Sequence, residues 1–289
     1  MLSSFGKRAA VSAVVATVIA ATSALLLSRS GLRAAAAEAS SVVRAPDVSQ
    51  QDCEARAYAS SGEMEPAAMH SFYFTRVAYS GGGGWGRRRG RSGWLTDGPK
   101  SDRQFLIVFR RLLGIDAYDC EHYLRLDDPS IRKFPFLYAL EVGSMGLGPE
   151  EVKNLRDYLL AGGFLMVDDF WGDGEWQNFE YEIRQVLPEY DIVELPLDHP
   201  IFRSFYEIKE ILQVPNVGNA RSGWTSECGP CQPHALGILD EKGRVMVVIN
   251  WNTDIGDAWE WAEQPFYPLK YSTFAYQMGV NFIVYAMSH

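Results

Sequence analysis

The feature that most constrains the fold is a short apolar run that ends in two adjacent carboxylates, Asp168 and Asp169. It follows the pair Gly162-Gly163, which is typical of a helix end, and its residues Phe164 to Val167 predict a strand covered on both faces. In open α/β sheets, ligands bind just beyond the carboxyl ends of such strands. The run therefore predicts an α/β fold with a candidate site at the two carboxylates.

Hydrophobic periodicity extends this pattern along the chain. Apolar residues three and four apart predict helices, and short apolar runs predict strands. Strand and helix in alternation are typical of right-handed parallel crossovers, and two runs joined by a Gly-containing turn predict a hairpin. The predicted strands cover 72–79, 135–142, 164–167 and 192–195, the hairpin joins 236–239 to 244–249, and the helices cover 105–112, 149–161, 176–186 and 274–285.

The N-terminal segment is typical of a chain sent to a membrane. Two basic residues precede the 19-residue apolar run Ala9 to Leu27, which is too long and too uncharged for a surface helix. An Ala-x-Ala pattern follows, so we expect residues 1–37 to be a cleaved signal peptide; an uncleaved anchor is the alternative, because two arginines follow the run. Both place the remainder in the periplasm or outside the cell, with membrane contact only through residues 9–27.

The rest of the chain divides into two parts. Residues 38–70 are rich in Ala, Ser and Glu without a sustained period and predict a flexible tether. Residues 71–289 are enough for one α/β domain with a full core.

The charge balance excludes some partners. The formal net charge is −9, and removal of residues 1–37 takes away four basic residues and no acidic one, which leaves −13. General binding to nucleic acid or to anionic lipid depends on an excess of Lys and Arg. We therefore expect no nucleic-acid partner, and instead a small molecule, a glycan or an envelope protein. We assign no cofactor.

Two of the four cysteines frame the tetrad Cys228-Gly-Pro-Cys231, which matches the active-site motif of thioredoxins. The flanking residues predict a loop, whereas the redox motif needs a strand that leads into a helix. We therefore favour a structural disulfide between Cys228 and Cys231 over redox catalysis.

Six stretches of the chain carry a resemblance to known proteins: 74–76, 94–103, 163–172, 194–202, 213–215 and 252–257. Together they resemble an uncharacterised bacterial family of unknown function with a class I glutamine-amidotransferase-like fold, of the trehalose-utilisation-like branch. The resemblance covers residues 70–289. It implies a flavodoxin-like three-layer α/β/α domain with a mostly parallel sheet, and it implies no particular reaction.

The chain departs from true amidotransferases at the catalytic position. In those enzymes the corresponding strand delivers a nucleophilic Cys, whereas here Asp168 and Asp169 stand in its place. Thiol-dependent glutamine hydrolysis therefore lacks a nucleophile. Ser144 lies in an incomplete Gly-x-Ser-x-Gly elbow, since Val142 replaces the first Gly, so a serine hydrolase is not favoured.

The two carboxylates have a structural and a chemical interpretation. Neighbouring side chains on a strand point to opposite faces, so we expect one of Asp168 and Asp169 to face the crevice and the other to cap the helix that begins near Glu175. His199 follows a strand whose end should border the same crevice. As catalytic residues, Asp168 or Asp169 would be the base and His199 the acid.

Further polar and aromatic residues of the family-like stretches complete the candidate site. We prefer them to the basic loop Arg87 to Arg91, which is typical of a solvated segment. The candidate ligand-binding residues are Thr75, Arg76, Trp94, Asp97, Asp102, Arg103, Trp171, Asn252, Asp254 and Asp257.

A metal site is not assigned. Asp169, Asp173, Gly174 and Glu180 fall in the register of a calcium loop, but Trp171 occupies a position that needs an oxygen ligand, so we treat the match as a coincidence. The convergence of Asp168, Asp169 and Asp254 on one divalent ion stays open.

The sequence thus favours an exported binding protein that captures a small polar ligand, a glycan or an envelope partner at the strand ends. The alternatives are a hydrolase, metal-assisted or not, and a purely structural component.

Overall fold

The computed structural model describes Cys53, residues 70–81 and residues 93–289. The predicted signal peptide, nearly all of the tether and the loop Arg87 to Arg91 lie outside the described residues. Within the described part, none of the helices combines the length and the apolar character needed to cross a membrane.

Seven strands form one sheet in the order β2-β1-β3-β4-β7-β6-β5. Strands β2, β1, β3, β4 and β7 are parallel, whereas β6 runs antiparallel to both β7 and β5. The strands are β1 Thr75–Ala78, β2 His122–Arg125, β3 Phe136–Leu140, β4 Phe164–Asp168, β5 Ile192–Glu194, β6 His234–Leu239 and β7 Val245–Trp251.

Helices connect the strands. The α-helices are α1 Lys100–Leu113, α2 Pro149–Leu160, α3 Gly172–Val186, α4 Val217–Ser222, α5 Ile255–Glu260 and α6 Leu269–Ser288. Short 3-10 helices cover Gly93–Leu95, Pro129–Lys133, Val142–Ser144 and Pro200–Arg203.

Alternate residues of each central strand pack on opposite faces of the sheet. In β3, Phe136 and Tyr138 join a core that includes residues of α1 and α6, whereas Leu137 and Ala139 join a second core with residues of α2 and α3. Helices therefore cover both faces, which explains why β3 and β4 are apolar at nearly every position. The structure confirms an α/β fold with a mostly parallel sheet between two helical layers.

Local sequence signals account for the helix ends that were predicted. Pro149 stands in the first turn of α2, and the Glu151 carboxylate accepts a hydrogen bond from the Gly148 backbone N–H at 2.8 Å. Helix α1 is capped at its C-terminus by Gly114, whose φ of 64° is in the left-handed region that glycine adopts freely. The predicted hairpin is also present as β6 and β7.

Several features differ from the sequence prediction, and the short helices α4 and α5 are among those that were not predicted. Strand β2 was missed because its four residues show no sustained apolar alternation and it lies at the edge of the sheet. Helix α3 begins at Gly172 rather than near Glu175. The chain leaves β4 at Asp168, so only three residues separate this strand from the helix.

Candidate functional site

The backbone turns sharply where the central strands end. Glu141 after β3, Asp169 after β4 and Asn252 after β7 have φ values of 54°, 53° and 59°, and Asp97, in the loop before α1, has a φ of 61°. In the described part these four are the non-glycine residues with positive φ. Such strain costs about 1–3 kcal/mol at each residue and concentrates at functional sites. Because β3, β4 and β7 are neighbours, the three turns lie along one edge of the sheet.

Asp168 is fully buried at the end of β4 and holds the start of α5. Its Oδ2 accepts hydrogen bonds from the Gly256 N–H at 3.0 Å and from the Tyr138 hydroxyl at 3.1 Å, and its Oδ1 accepts one from the Ile255 N–H at 3.3 Å. Burial raises the pKa of Asp168 to about 7, and these hydrogen bonds oppose the rise. A capping role is therefore present, but at α5 and not at α3 as expected.

Asp169 lies on the turn itself. Its Oδ1 accepts a hydrogen bond from the Trp171 indole N–H at 3.0 Å, so the predicted site residue Trp171 orients this carboxylate. Burial raises the pKa of Asp169 well above its usual range, and repulsion from Glu141 adds to the effect. At the first turn of α3 the carboxylate of Glu175, and not that of Asp169, accepts a hydrogen bond from the Trp171 backbone N–H, at 2.6 Å.

Several carboxylates gather beside these turns, and we call them the acidic cluster: Asp97, Asp169, Asp254, Asp257 and Glu260. One oxygen each from Asp97, Asp169 and Asp254 lie within 4.8 Å of one another, and the same holds for Asp97, Asp257 and Glu260. Asp254 is the N-cap of α5 and accepts from the Asp257 N–H at 2.7 Å. Four predicted site residues are thus brought together, and Asp97 belongs to both groups.

Simultaneous ionisation of the carboxylates in this cluster is unfavourable. Burial, together with the neighbouring carboxylates, raises the pKa of Asp97 and of Asp254 well above the usual range. The nearby buried guanidinium of Arg76 is already used by Asp102, with Nε to Oδ2 at 3.0 Å and Nη2 to Oδ1 at 2.5 Å. The cluster therefore favours protons or bound cations.

Arg76 positions the loop that carries Asp97. Its Nη1 donates to the carbonyl oxygens of Trp94 at 3.0 Å and of Thr96 at 2.7 Å. Arg76 and Asp102 were predicted to contact ligand, but both are fully buried and bonded to each other and to the loop. They hold β1, the loop and α1 together.

Three other predicted ligand residues lie outside the acidic cluster. The Thr75 hydroxyl and the His122 Nδ1 are hydrogen bonded at 3.0 Å, at the amino ends of β1 and β2. Arg103 forms an ion pair with Glu121. Trp94 lines a separate cavity of about 450 Å³ at the carboxyl ends of β1 and β2.

His199 does not meet the carboxylates, so the expected acid/base pair is wrong. Its Nδ1 accepts from the Ile201 N–H at 3.2 Å, and its ring lies 6.1 Å from that of Tyr285. The Tyr285 hydroxyl accepts from the N–H of Val245, the first residue of β7, which places His199 at the amino edge of the sheet. The loop that follows β5 packs along α6. The side-chain oxygen of Asn281 in α6 accepts hydrogen bonds from the backbone N–H groups of Phe205 and Tyr206 in this loop.

The loop that contains the Cys-Gly-Pro-Cys tetrad closes one side of the site. Cys228 and Cys231 form a disulfide with Cα atoms 5.8 Å apart. Asn252 connects this loop to α3, because its amide donates to the Gln232 carbonyl and accepts from the Gly172 N–H, both at 2.8 Å. A second disulfide, Cys53–Cys120, was not predicted; all four cysteines are paired, which leaves no thiol nucleophile.

Sequence reasoning missed three residues that shape the site. Tyr138 and Gly256 contact Asp168, and a Cβ at Gly256 would come within 2.5 Å of the Asp97 Oδ2, so glycine is needed there. Glu260 completes the second carboxylate group. Only Glu260 carried a usable signal, since it follows Asp257 by three residues and a helix brings such residues to one face.

Fold and site together define an α/β protein in which parallel strands end at a cluster of buried and half-buried carboxylates. The chain belongs to the DUF4159 family, a domain of unknown function, whose model matches residues 74–287 and thus includes the whole acidic cluster. No curated protein matches the chain.

Proposed function

We propose that this chain is a binding protein of the cell envelope that holds a ligand bearing positive charge at the carboxyl edge of the sheet. In this proposal the domain has the flavodoxin-like, amidotransferase-like fold without the catalytic thiol. The observation that carries the proposal is the acidic cluster, in which buried carboxylates outnumber the buried cations able to neutralise them.

The charge balance argues for a cationic ligand over a neutral one. A buried carboxylate without a partner is costly and either takes up a proton or finds a cation. The guanidinium of Arg76 is committed to Asp102. A ligand with an amine or a metal ion would supply the missing positive charge, whereas a neutral glycan would leave the repulsion in place.

Other features agree with an exported protein. The N-terminal segment predicts export, and the disulfides Cys53–Cys120 and Cys228–Cys231 are typical of an oxidising compartment. A small cationic molecule or a cationic group of an envelope polymer is therefore the class of ligand that we expect.

The proposal is tested by thermal unfolding of the full-length protein with matched probes. Glucosamine and putrescine are cationic, N-acetylglucosamine is the neutral counterpart of glucosamine, and magnesium and calcium chloride supply divalent ions. We expect at least one cationic probe to raise the melting temperature, because ligands that bind only the folded state stabilise it.

The rise in melting temperature should vanish in Asp169→Asn and persist in Glu241→Gln, which alters an exposed acid on the β6–β7 turn. Equal shifts in both variants, or none from any cation, would contradict the proposal.

A hydrolase is the second candidate, favoured by one observation. Asp169 lies with positive φ on a strand-to-helix turn, the kind of turn that presents nucleophiles in α/β hydrolases. His199 is remote, so Glu141 would be the proton donor; burial raises the pKa of Glu141 to about 7. Hydrolysis of p-nitrophenyl acetate by the wild type, lost in Asp169→Asn and kept in Glu241→Gln, is the result that this candidate requires.

A further inference from the structure

We propose that Asp97, Asp169 and Asp254 bind one hard divalent cation, Mg²⁺ or Ca²⁺. The inference rests on the proposed function, because it names the cation that the acidic cluster attracts. The three residues come from three separate elements: the loop before α1, the turn after β4 and the N-cap of α5.

The spacing of the three carboxylates fits such an ion. One oxygen from each lies within 4.8 Å of the other two. With metal–oxygen distances of about 2.0–2.6 Å, ligand oxygens around Mg²⁺ or Ca²⁺ are about 3–5 Å apart. The carboxylates are thus at coordinating separation without large movement of the backbone.

An independent observation points to a missing ligand. No N–H or hydroxyl donor of the described part reaches the fully buried Oδ2 of Asp97, and the neighbouring Asp257 carboxyl group lies within hydrogen-bonding distance of the Asp97 carboxyl group. The two carbonyl groups that Arg76 binds fix the loop at Trp94 and Thr96, directly before Asp97. A buried carboxylate oxygen is normally satisfied, and a cation between Asp97, Asp169 and Asp254 would satisfy this one.

The same three residues have oxygen atoms to spare. Asp169 uses Oδ1 for the Trp171 indole, and Asp254 uses Oδ1 for the Asp257 N–H. Asp257, the rival partner of Asp97, already accepts with both oxygens, from the Trp261 indole and from the Val217 N–H. We therefore favour Asp169 and Asp254 over Asp257 and Glu260.

The donor set selects the class of metal. Within the described residues, the two candidate groups contain only carboxylates and neither His nor Cys. Carboxylate oxygens suit Mg²⁺, Ca²⁺ and Mn²⁺, whereas Zn²⁺ and Cu²⁺ are usually bound with imidazole or thiolate. A hard cation is thus the expected occupant.

Terbium luminescence tests the site directly. Tb³⁺ substitutes for Ca²⁺, and the Trp171 indole, 3.0 Å from the Asp169 Oδ1, is placed to sensitise its emission. We expect saturable emission from the full-length protein, displaced by Ca²⁺ or Mg²⁺. Each of Asp97→Asn, Asp169→Asn and Asp254→Asn should weaken binding about tenfold or more, by analogy with losses at metal sites, while Glu241→Gln keeps wild-type affinity.

Two further variants keep the result interpretable. Trp171→Phe should reduce sensitised emission, with the Trp261 indole beside Asp257 still able to contribute, yet bind Ca²⁺ like the wild type by calorimetry. Glu260→Gln should bind Tb³⁺ like the wild type. Circular dichroism and melting temperature check that each variant is folded. Loss of binding in Glu260→Gln together with retention in Asp169→Asn would overturn the assignment in favour of the second group.

The metal inference and the proposed function can fail separately. If glucosamine or putrescine stabilises the protein through Asp169 but no divalent ion binds, the metal inference is overturned and the proposed function stands. If neither class of cation binds, both are overturned.

Discussion

Asp168 and Asp169 are adjacent in the sequence, but their carboxylates have different surroundings. Asp168 accepts three hydrogen bonds from α5 and Tyr138, whereas Asp169 accepts one and faces other acids. The Asp168 carboxylate is therefore part of the structural framework, whereas the Asp169 carboxylate is a candidate cation-binding group. We accordingly expect opposite effects on stability from substitution of Asp168 and from substitution of a residue of the acidic cluster.

Removal of the framework carboxylate should destabilise the protein. In Asp168→Ala, the N–H groups of Ile255 and Gly256 and the Tyr138 hydroxyl lose their buried acceptor. Because an unsatisfied buried donor costs about 1–3 kcal/mol, we expect a loss of about 3 kcal/mol or more in the free energy of unfolding. Urea denaturation measures it, with Glu241→Ala as the surface control. A loss equal to that of the control would show that these hydrogen bonds do not matter.

Removal of a proposed cation-binding carboxylate of the protein should instead stabilise the cation-free protein. Asp254→Asn deletes one charge from the acidic cluster, and Asn is as good an N-cap as Asp, so α5 keeps its start. Burial and the neighbouring carboxylates raise the pKa of Asp254, which means that its charged form is unfavourable in the folded protein. We therefore expect a higher free energy of unfolding than that of the wild type at pH 7 with chelator present, by the same urea measurement. A lower stability than the wild type would mean that Asp254 is a structural acid.

At the scale of elements, Arg76 joins β1, the loop before α1 and α1 itself. Its substitution by Met, of similar length, leaves Asp102 buried without a partner and two carbonyl oxygens without donors. Breaking a buried ion pair from one side costs about 3–5 kcal/mol. We expect a loss of that size in Arg76→Met, and a much smaller loss in the matched surface change Arg184→Met, by thermal and urea unfolding.

The elements also show how far sequence reasoning reaches. The strands β3 and β4 and the helices α1 and α2 were predictable because burial on both faces and helix-end residues are local signals. The start of α5 was not, because Asp168 caps it from a strand 86 positions before Asp254. The position of His199 was not predictable either, since the direction of the loop after β5 depends on packing against α6.

For the candidate site, the sequence indicated the carboxyl ends of the central strands and named most of the acidic cluster that the structure places there. Asp97, Asp169, Asp254 and Asp257 were all named, because each follows a strand or lies in a family-like stretch. The structural role of Arg76 and Asp102 could not be predicted from the sequence, because charged residues in a motif give the same pattern whether they bind a ligand or each other.

At the scale of the whole molecule, titration of Asp168 and of the acidic cluster should couple the protein's stability to cations and pH. The pKa of Asp168 and of Glu260 is about 7 in the folded protein, against an ordinary value near 4 in the unfolded chain. Between these values the folded state holds more protons, so these groups lower the stability of the cation-free protein as pH rises from about 4 to about 7. His122, buried with its pKa lowered to about 4, contributes the opposite slope in part of this range.

The effect of a cation separates the two contributions. His122 is hydrogen bonded to Thr75 at the amino-terminal ends of β1 and β2, away from the acidic cluster. We expect it to titrate alike with and without Ca²⁺, so its contribution cancels when the two stabilities are subtracted. Burial raises the pKa of Asp97, Asp169 and Asp254, so protons compete with the cation for these carboxylates, and the stabilisation by Ca²⁺ should be small near pH 4 and grow as the pH rises. Urea unfolding at each pH, with Ca²⁺ and with chelator, measures this difference, and Asp254→Asn should flatten it. A difference that does not change with pH in the wild type would show that Ca²⁺ acts away from the acidic cluster.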